Sequence, residues 1–192
     1  MRRVNKNNNI NKLNRLPQIL LVTGGAGFIG SSFVNQQVQR GNKIIVLDKL
    51  TYAGKESNLS WIKSANYQLI KGDINDQSLV EGIFKNNKID KIIHFAAESH
   101  VDNSIKNPDA FIQTNINGTH NLLKSSLKEF QKNPRFHFHH VSTDEVFGDL
   151  PLNTSDKFTE NTPYNPSSPY SASKAASDHL VRSYYKTYNL PI

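Results

Sequence analysis

The sequence predicts an α/β fold with a doubly wound parallel sheet. Short apolar segments alternate with longer segments of helical spacing along most of the chain. A glycine-rich turn joins the first apolar segment to the first helical one, and an aspartate ends the second apolar segment. Strands that alternate with helices pair in parallel, because each helix carries the chain back across one face of the sheet.

Five strands and five helical segments are expected. The strands are predicted at residues 19–22, 43–47, 67–70, 89–95 and 135–142. The helices are predicted at residues 31–38, 58–63, 75–84, 108–130 and 170–188. Gly41 follows the first helix and Pro108 begins the fourth, which are positions that each residue type favours. Residues 148–169 predict a long loop, and residues 190–192 predict the start of a further strand.

Length and charge predict one domain behind a basic tail. The chain has 192 residues and a net charge of +7, and its first 16 residues hold five basic side chains and no acidic one. We therefore expect residues 1–17 to form a basic, disordered tail and residues 18–192 to form one domain. Because the charge of the remainder is nearly balanced, we expect no nucleic-acid partner.

Cysteine content and hydropathy favour a cytoplasmic protein without a membrane partner. The chain has no cysteine, and no apolar run approaches the ~18 residues of a membrane span. A histidine-rich strand carries His137 and His139 opposite His140. Strand neighbours point to opposite faces, and no carboxylate or cysteine completes a ligand set, so no metal site is expected.

The glycine-rich turn of residues 23–30 predicts a dinucleotide site. Gly24 permits the tight turn, Gly27 allows the backbone close to a diphosphate, and Gly30 lets the helix pack near the strand. The helix that follows offers free N–H groups and a partial positive charge to an anion. Glycine turns are common, but the buried strand before this one and the acid after it favour a cofactor site.

Two aspartates refine this prediction. Asp48 ends the second strand, 18 residues after Gly30, where its carboxylate can accept hydrogen bonds from the adenosine ribose. A carboxylate there repels a 2′-phosphate, which favours NAD over NADP, although the neighbouring Lys49 weakens that inference. Asp73 follows the third strand and either contacts the adenine or is an ordinary turn acid.

A polar triplet follows the fifth strand. Thr143, Asp144 and Glu145 are expected to face the same crevice as the glycine turn. Two adjacent carboxyl groups in a half-buried site favour one protonated partner, which places a proton donor beside a base and suits an elimination. From the triplet alone, ordinary surface acids explain the pattern better.

A tyrosine and a lysine lie four residues apart on the last helix. At this spacing Tyr170 and Lys174 share one face, so the ammonium group is expected to lower the pKa of the phenol. Such a tyrosine can take the proton from a carbinol while a hydride passes to a nicotinamide ring.

These features together resemble the extended short-chain dehydrogenase/reductase family. The resemblance rests on residues 23–30, Asp48 and the Tyr170/Lys174 pair, and it covers the chain from about residue 18. Within the family, residues 48–54, 96–102 and 142–148 are similar to the dTDP-glucose 4,6-dehydratases. Asn103 is a departure, since many relatives carry arginine there.

The resemblance implies a Rossmann-type NAD-binding domain and a nucleotide-sugar substrate such as dTDP-glucose. It implies that NAD lies against Phe28, Ile29, Asp48, Lys49, Leu50, Thr51, Asp73, Ile74, Phe95, Ala96, Ala97, Glu98, Ser99, Thr114, Tyr170 and Lys174. Ser99 and Thr143 would hold the sugar. Tyr170 would take the 4-hydroxyl proton, Glu145 would remove the C5 proton, and Asp144 would protonate the departing C6 hydroxyl.

Three alternatives stay open. A UDP-glucose 4,6-dehydratase and a 4-epimerase share the glycine turn and the Tyr170/Lys174 pair, but epimerases usually lack the Asp144–Glu145 pair. A non-catalytic NAD-binding module is the third, because family members continue further and use a C-terminal region, absent here, to bind the nucleotide of the sugar. The resemblance also implies a homodimer that pairs through residues 108–130 and 170–188.

Overall fold

The computed structural model describes residues 16–153 and 155–192. Five strands form one sheet in the order β3-β2-β1-β4-β5, and every pair is parallel. They are β1 (Ile19–Thr23), β2 (Lys43–Asp48), β3 (Tyr67–Lys71), β4 (Lys91–His94) and β5 (His137–His140). The predicted α/β, doubly wound parallel sheet is confirmed. Most of the predicted tail, residues 1–15, lies outside the described residues.

Helices connect the strands across both faces of the sheet. They are α1 (Phe28–Gln39), α2 (Gln77–Asn86), α3 (Val101–Lys106), α4 (Pro108–Phe111), α5 (Thr119–Phe130) and α6 (Pro169–Tyr188). A π-helical turn (Ile112–Gly118) joins α4 to α5, and 3₁₀ turns lie at Glu56–Leu59 and Asp144–Phe147. No helix in the described ranges is long and apolar enough to cross a membrane.

Several predicted boundaries are wrong in detail. The predicted helix of residues 108–130 is interrupted by the π turn, and α3 was not predicted, because its six residues carry too little apolar periodicity. β4 and β5 are shorter than predicted because their end residues leave the hydrogen-bonded ladder. Residues 190–192 form no strand, although the Phe138 N–H donates to the Pro191 carbonyl at 2.8 Å.

The core has two layers, one on each face of the sheet. Leu21 and Ile92 pack with Leu122 on the face covered by α2, α5 and α6. Val22 and Val46 pack with neighbours on the face covered by α1. Successive strand residues are buried on opposite faces, as expected for a parallel sheet with helices on both sides. The strand order reverses between β1 and β4, which opens a crevice at their carboxyl ends.

Candidate functional site

A cavity of about 350 Å³ occupies this crevice. Its wall contains these residues predicted to line a cofactor: Gly24, Gly27, Phe28, Ile29, Gly30, Asp48, Lys49, Thr51, Asp73, Ile74, Phe95, Ala96, Ala97, Glu98, Ser99, Thr114, Tyr170 and Lys174. It also contains residues that sequence reasoning missed: Leu47, Ala53, Gly54, Gly72, Val141 and Ser142. The structure therefore brings the predicted residues together, and their contacts with a cofactor stay predictions.

Leu50 is the predicted lining residue that does not reach the cavity wall. Its side chain packs against the core layer under α1, and its backbone has a φ of 57°. Its N–H donates to Asp48 Oδ1 at 2.8 Å. The Leu50 backbone thus helps to hold the Asp48 carboxylate in place, a role that the sequence pattern did not reveal.

Close backbone approach explains the glycine turn. Gly24 has a φ of 69°, and a Cβ atom there would lie 2.6 Å from the backbone nitrogen of Ala96. A Cβ atom on Gly30 would overlap the carbonyl oxygen of Gly24. Gly27 is the N-cap of α1 and provides no side-chain cap, so the first N–H groups of the helix are directed at the cavity without an internal partner. This cradle fits a diphosphate.

Asp48 is buried and fixed by two backbone donors. Its Oδ2 accepts from the Ala26 N–H at 2.9 Å and its Oδ1 from Leu50. A Cβ atom on Gly54 would lie 2.6 Å from Oδ1, so only glycine leaves room beside the carboxylate. Each carboxylate oxygen can accept a second hydrogen bond, which suits the hydroxyl groups of a ribose.

Lys49 is paired with Asp73 rather than with Asp48. Its Nζ lies 2.8 Å from Asp73 Oδ2, while Asp73 Oδ1 accepts from the N–H and the side-chain amide of Asn75. Burial raises the pKa of Asp73, but the hydrogen bonds from Lys49 and Asn75 outweigh it and leave the pKa below its ordinary value. Asp73 is therefore a turn acid that also lines the cavity, and its contact with an adenine stays a prediction.

Tyr170 and Lys174 are both buried at the inner end of the cavity. The capping box of Ser168 and Ser171 fixes the start of α6 directly before Tyr170. The Tyr170 hydroxyl lies near the side chain of Thr143, and its ring meets Phe111 edge to face at 6.2 Å. Lys174 Nζ donates to the Val141 carbonyl at 2.7 Å.

The expected lowering of the Tyr170 pKa is wrong for this structure. Burial raises the pKa of Tyr170, the side chain of Thr143 lowers it, and the nearby charges of Glu145 and Asp144 raise it further, so the net direction is upward. Burial also lowers the pKa of Lys174 to about 8. Desolvation penalises both charged forms and outweighs the attraction that the spacing alone suggests.

The acid pair occupies a different environment from the one expected. Asp144 and Glu145 begin the 3₁₀ turn and are exposed, and the cavity wall extends only to Ser142. The expected half-buried site is therefore wrong, because Asp144 and Glu145 lie in the exposed first half of a 3₁₀ turn. Both acids still lie close enough to Tyr170 to influence its pKa.

Asn115 is a buried residue that sequence reasoning passed over as part of a helical repeat. Its Oδ1 accepts from the Glu98 N–H at 2.9 Å and its Nδ2 donates to the Glu98 carbonyl at 2.9 Å. The same Nδ2 reaches Ser173 Oγ at 2.8 Å. The amide therefore fixes the loop after β4 against α6, and the π turn provides the geometry. The sequence signal that could have indicated this role is a polar residue at a helical position between apolar ones.

Glu98 and Ser99 form the outer rim of the cavity. Glu98 Oε2 accepts from the Tyr52 hydroxyl at 3.1 Å, across the cavity from β4 to β2. Ser99 is exposed beside it. Phe28 is 91% exposed and Ile29 65% exposed at the opposite rim, so apolar surface faces any molecule that enters.

His94 lies in a buried chain of hydrogen bonds below the cavity. Thr119 donates its hydroxyl hydrogen to the Asn115 carbonyl, so it accepts from His94 Nε2–H at 2.9 Å. His94 Nδ1 then accepts from the Thr23 hydroxyl at 2.7 Å. Burial, followed by electrostatic repulsion from His140 and Lys174 against a protonated ring, lowers the pKa of His94 well below 6.5, so the ring is neutral. Within residues 16–153 and 155–192, no three His, Asp or Glu side chains cluster as metal ligands.

A glycine turn at the switch point of a doubly wound parallel sheet defines a Rossmann-type, nucleotide-binding class of domain. Residues 21–192 match the family model described as GDP-mannose 4,6 dehydratase, and the chain belongs to that family.

Similar proteins agree with this assignment. The chain is 52% identical over 178 residues to a dTDP-glucose 4,6-dehydratase of Xanthomonas campestris, with 90% of this chain and 50% of the relative covered. It is 51% identical to the dTDP-glucose 4,6-dehydratase of Salmonella typhimurium, with 90% and 52% covered. The chain thus spans about half the length of the curated relatives it matches.

Solved structures show the same fold. A dTDP-glucose 4,6-dehydratase from Streptomyces venezuelae, crystallised with NAD, has a TM-score of 0.81 at 44% identity, covering 90% of this chain and 53% of its own. A UDP-glucose 4-epimerase from Thermus thermophilus, in complex with NAD, has a TM-score of 0.79 at 32% identity, covering 90% of this chain and 52% of its own.

Proposed function

We propose that this chain is the NAD-binding and catalytic part of a dTDP-glucose 4,6-dehydratase, a hydro-lyase that removes water from a nucleotide-linked glucose. The product is a 4-keto-6-deoxy sugar, as used in deoxysugar biosynthesis. The observation that carries the proposal is that Tyr170 and Lys174 line the same cavity as the glycine turn. Support for the elimination comes from Asp144 and Glu145, whose charges are near enough to Tyr170 to raise its pKa. The relatives at about 50% identity support the choice of substrate class.

NAD would bind across the switch point. The N-terminus of α1 at Gly27 would hold the diphosphate, Asp48 the adenosine ribose, and the wall around Tyr170 the nicotinamide end. Lys49 is paired with Asp73 and not with Asp48, so among the described residues no ion pair occupies the Asp48 carboxylate, which favours NAD over NADP. When bound, NAD would accept a hydride from C4 of the sugar and return it to C6.

Tyr170 would accept the proton of the sugar 4-hydroxyl. Its raised pKa means that it is protonated at neutral pH and must first release its own proton. Lys174 lies one turn away with a pKa of about 8, so it is mostly charged at pH 7 and would stabilise the phenolate. Thr143 would hold the 4-hydroxyl in line with Tyr170.

Asp144 and Glu145 would carry out the elimination. The 4-ketone acidifies C5, so Glu145 can take the C5 proton while Asp144 protonates the C6 hydroxyl, which leaves as water. Glu145 then returns its proton to C5. The proton held by Tyr170 balances the one that Asp144 gives to water, so the cycle closes.

A second candidate is an NAD-binding module without turnover. The solvent exposure of Asp144 and Glu145 favours it, because an elimination needs both groups aligned on the sugar and shielded from water. Its NAD binding would be the same as that of the enzyme, so only sugar chemistry separates the two.

Homodimer formation and a cytoplasmic location are further parts of the proposal. Helices α5 and α6 would form the dimer contact. Support comes from Tyr185 and Tyr188, which are 47% and 49% exposed on α6. A cytoplasmic location stays a prediction from the sequence.

Calorimetric titration with NAD and with NADP tests the cofactor assignment. We expect NAD to bind more tightly than NADP, and Asp48→Asn to weaken NAD binding and reduce this preference. The control is Asp76→Asn, which keeps an exposed helix cap outside the cavity. Absence of NAD binding by the unaltered chain would refute the proposal.

Absorbance of the 4-keto sugar after addition of dTDP-glucose tests the chemistry. Turnover that Tyr170→Phe and Asp144→Asn each reduce at least ~100-fold supports the dehydratase, since general acid–base groups contribute about that much. The control is Tyr67→Phe on β3, which lies outside the cavity wall. NAD binding without turnover would favour the second candidate.

A further inference from the structure

Asp178 is a carboxylate behind the cavity to which sequence reasoning assigned no role. It lies four residues after Lys174 on α6, so Tyr170, Lys174 and Asp178 follow one another along one face of the helix. The Asp178 side chain is only 11% exposed. It is absent from the cavity wall, so it acts on the site through other residues.

Three donors from two segments of the chain meet on this carboxylate. His140 Nε2 at the end of β5 lies 3.0 Å from Oδ1. The Ser142 hydroxyl donates to Oδ2 at 2.6 Å, and the Tyr164 hydroxyl of the long loop donates to Oδ2 at 2.9 Å. Asp178 therefore ties the end of the fifth strand and the loop to α6.

The residues that Asp178 and Lys174 bind, 140–142, directly precede Thr143 and the acid pair Asp144–Glu145. Asp178 holds His140 and Ser142, while Lys174 holds the carbonyl of Val141 between them. All three consecutive residues at the end of β5 are thus fixed to α6. The next residue along the chain is Thr143, which lies near Tyr170. The distance between Tyr170 and the triplet 143–145 therefore depends on the Asp178 contacts.

The Asp178 carboxylate is ionised. Burial raises its pKa, but the hydrogen bonds from His140 and Ser142, with the interaction with His140 and the Tyr164 hydrogen bond, bring the pKa below its ordinary value. Burial lowers the pKa of His140 despite the hydrogen bond to Asp178, so the ring is neutral and donates through Nε2–H. The pair therefore carries one negative charge.

That charge faces several titratable groups. They are His140 from the sheet, Tyr164 from the loop, and Lys174 and Tyr170 from α6, with Asp144 and Glu145 beyond Tyr170. The Asp178 charge raises the pKa of Lys174 against the effect of burial, and it also raises the pKa of Tyr170.

We propose that Asp178 is a positioning residue, which fixes residues 140–142 to α6 so that the triplet 143–145 meets Tyr170. Asp178 also lies one helical turn from Lys174 on the same face of α6, so its negative charge favours the protonated form of the buried amine. The catalytic meaning of this inference rests on the proposed dehydratase function. The effects of Asp178 on the position of residues 140–142 and on the protonation of Lys174 do not depend on that function, because both can be measured on the chain without cofactor or sugar.

Hydrogen exchange read by mass spectrometry tests the positioning. Asp178→Asn is expected to raise the exchange rate of residues 140–148 by roughly tenfold, the effect of losing one charge-assisted hydrogen bond. Exchange in β1 and β2 should not change. Equal exchange in Asp178→Asn and the unaltered chain would overturn the positioning role.

Titration of Lys174 by NMR of ¹³C-labelled lysine tests the charge. In Asp178→Asn the midpoint should fall below its value of about 8, because the charge that opposes burial is gone. Tyr164→Phe is the matched control: it removes one hydrogen bond and keeps the carboxylate, so the midpoint should stay in place. An unshifted midpoint in Asp178→Asn would overturn the electrostatic role.

Ser142→Ala keeps the inference testable if Asp178→Asn does not fold. It removes the shortest hydrogen bond to Asp178 and leaves the charge, so exchange of residues 140–148 should rise while the Lys174 midpoint stays in place. Unchanged exchange would refute the positioning. Failure of NAD binding, in contrast, would affect only the proposed function.

Discussion

Replacement of Gly30 by alanine tests the packing of the glycine turn. The added Cβ would overlap the Gly24 carbonyl oxygen and lie 2.9 Å from Gly25 Cα. These are backbone atoms of the turn, so they cannot rotate away as the end of a side chain could. Overpacking costs about 1–3 kcal/mol, and a rigid backbone neighbour places this site in the upper half of that range.

Gly82→Ala is the matched control. Gly82 lies inside α2, and no atom lies within 4 Å of the position its Cβ would take. Alanine should therefore stabilise the chain there by about 0.5–1 kcal/mol, because it restricts the unfolded chain and favours the helix. The same change from glycine to alanine is thus expected to lower the free energy of unfolding at Gly30 and to raise it at Gly82.

Thermal and urea unfolding measure both variants. At ~2–4 °C per kcal/mol for a domain of this size, Gly30→Ala should lower Tm by about 4–12 °C, and Gly82→Ala should raise it slightly. Calorimetry should also show weaker NAD binding by Gly30→Ala, since the turn must open to admit the methyl group. A Gly30→Ala variant as stable as the unaltered chain would show that the turn can relax, and the packing argument would then be incorrect.

Two further predictions concern stability. Asp76 caps α2 by accepting from the Leu79 N–H at 2.9 Å, so Asp76→Ala should lower the free energy of unfolding by about 1 kcal/mol in urea, while Asp76→Asn should retain most of it. The lowered pKa of His94 predicts a pH dependence: below pH 6.5 the unfolded chain binds a proton that the folded chain does not, so stability falls as pH falls. Urea unfolding between about pH 5 and 6.5 measures this slope, and His94→Gln should reduce it by up to ~1.4 kcal/mol per pH unit. The control is His179→Gln, which changes an exposed histidine. An unchanged slope in His94→Gln would show that His94 takes up its proton in the folded state.

The sequence by itself determined the fold and most of the cavity wall. Apolar periodicity, the glycine turn of residues 23–30 and Asp48 are local signals, because each depends on neighbours within a few residues. In a doubly wound sheet the carboxyl ends of the strands must meet at the switch point, so the residues after β1, β2 and β4 could be placed together without a structure. The spacing of Tyr170 and Lys174 likewise fixed their common helix face.

Only the tertiary structure decided the environment of those residues. The Asn115 amide meets Glu98 and Ser173, which lie 17 and 58 residues away, and Asp178 meets His140 from 38 residues away. Burial, not spacing, set the direction of the Tyr170 pKa, and a 3₁₀ turn left Asp144 exposed. Hydrogen-bond pairing and desolvation depend on which distant segments pack together, and no local pattern records that.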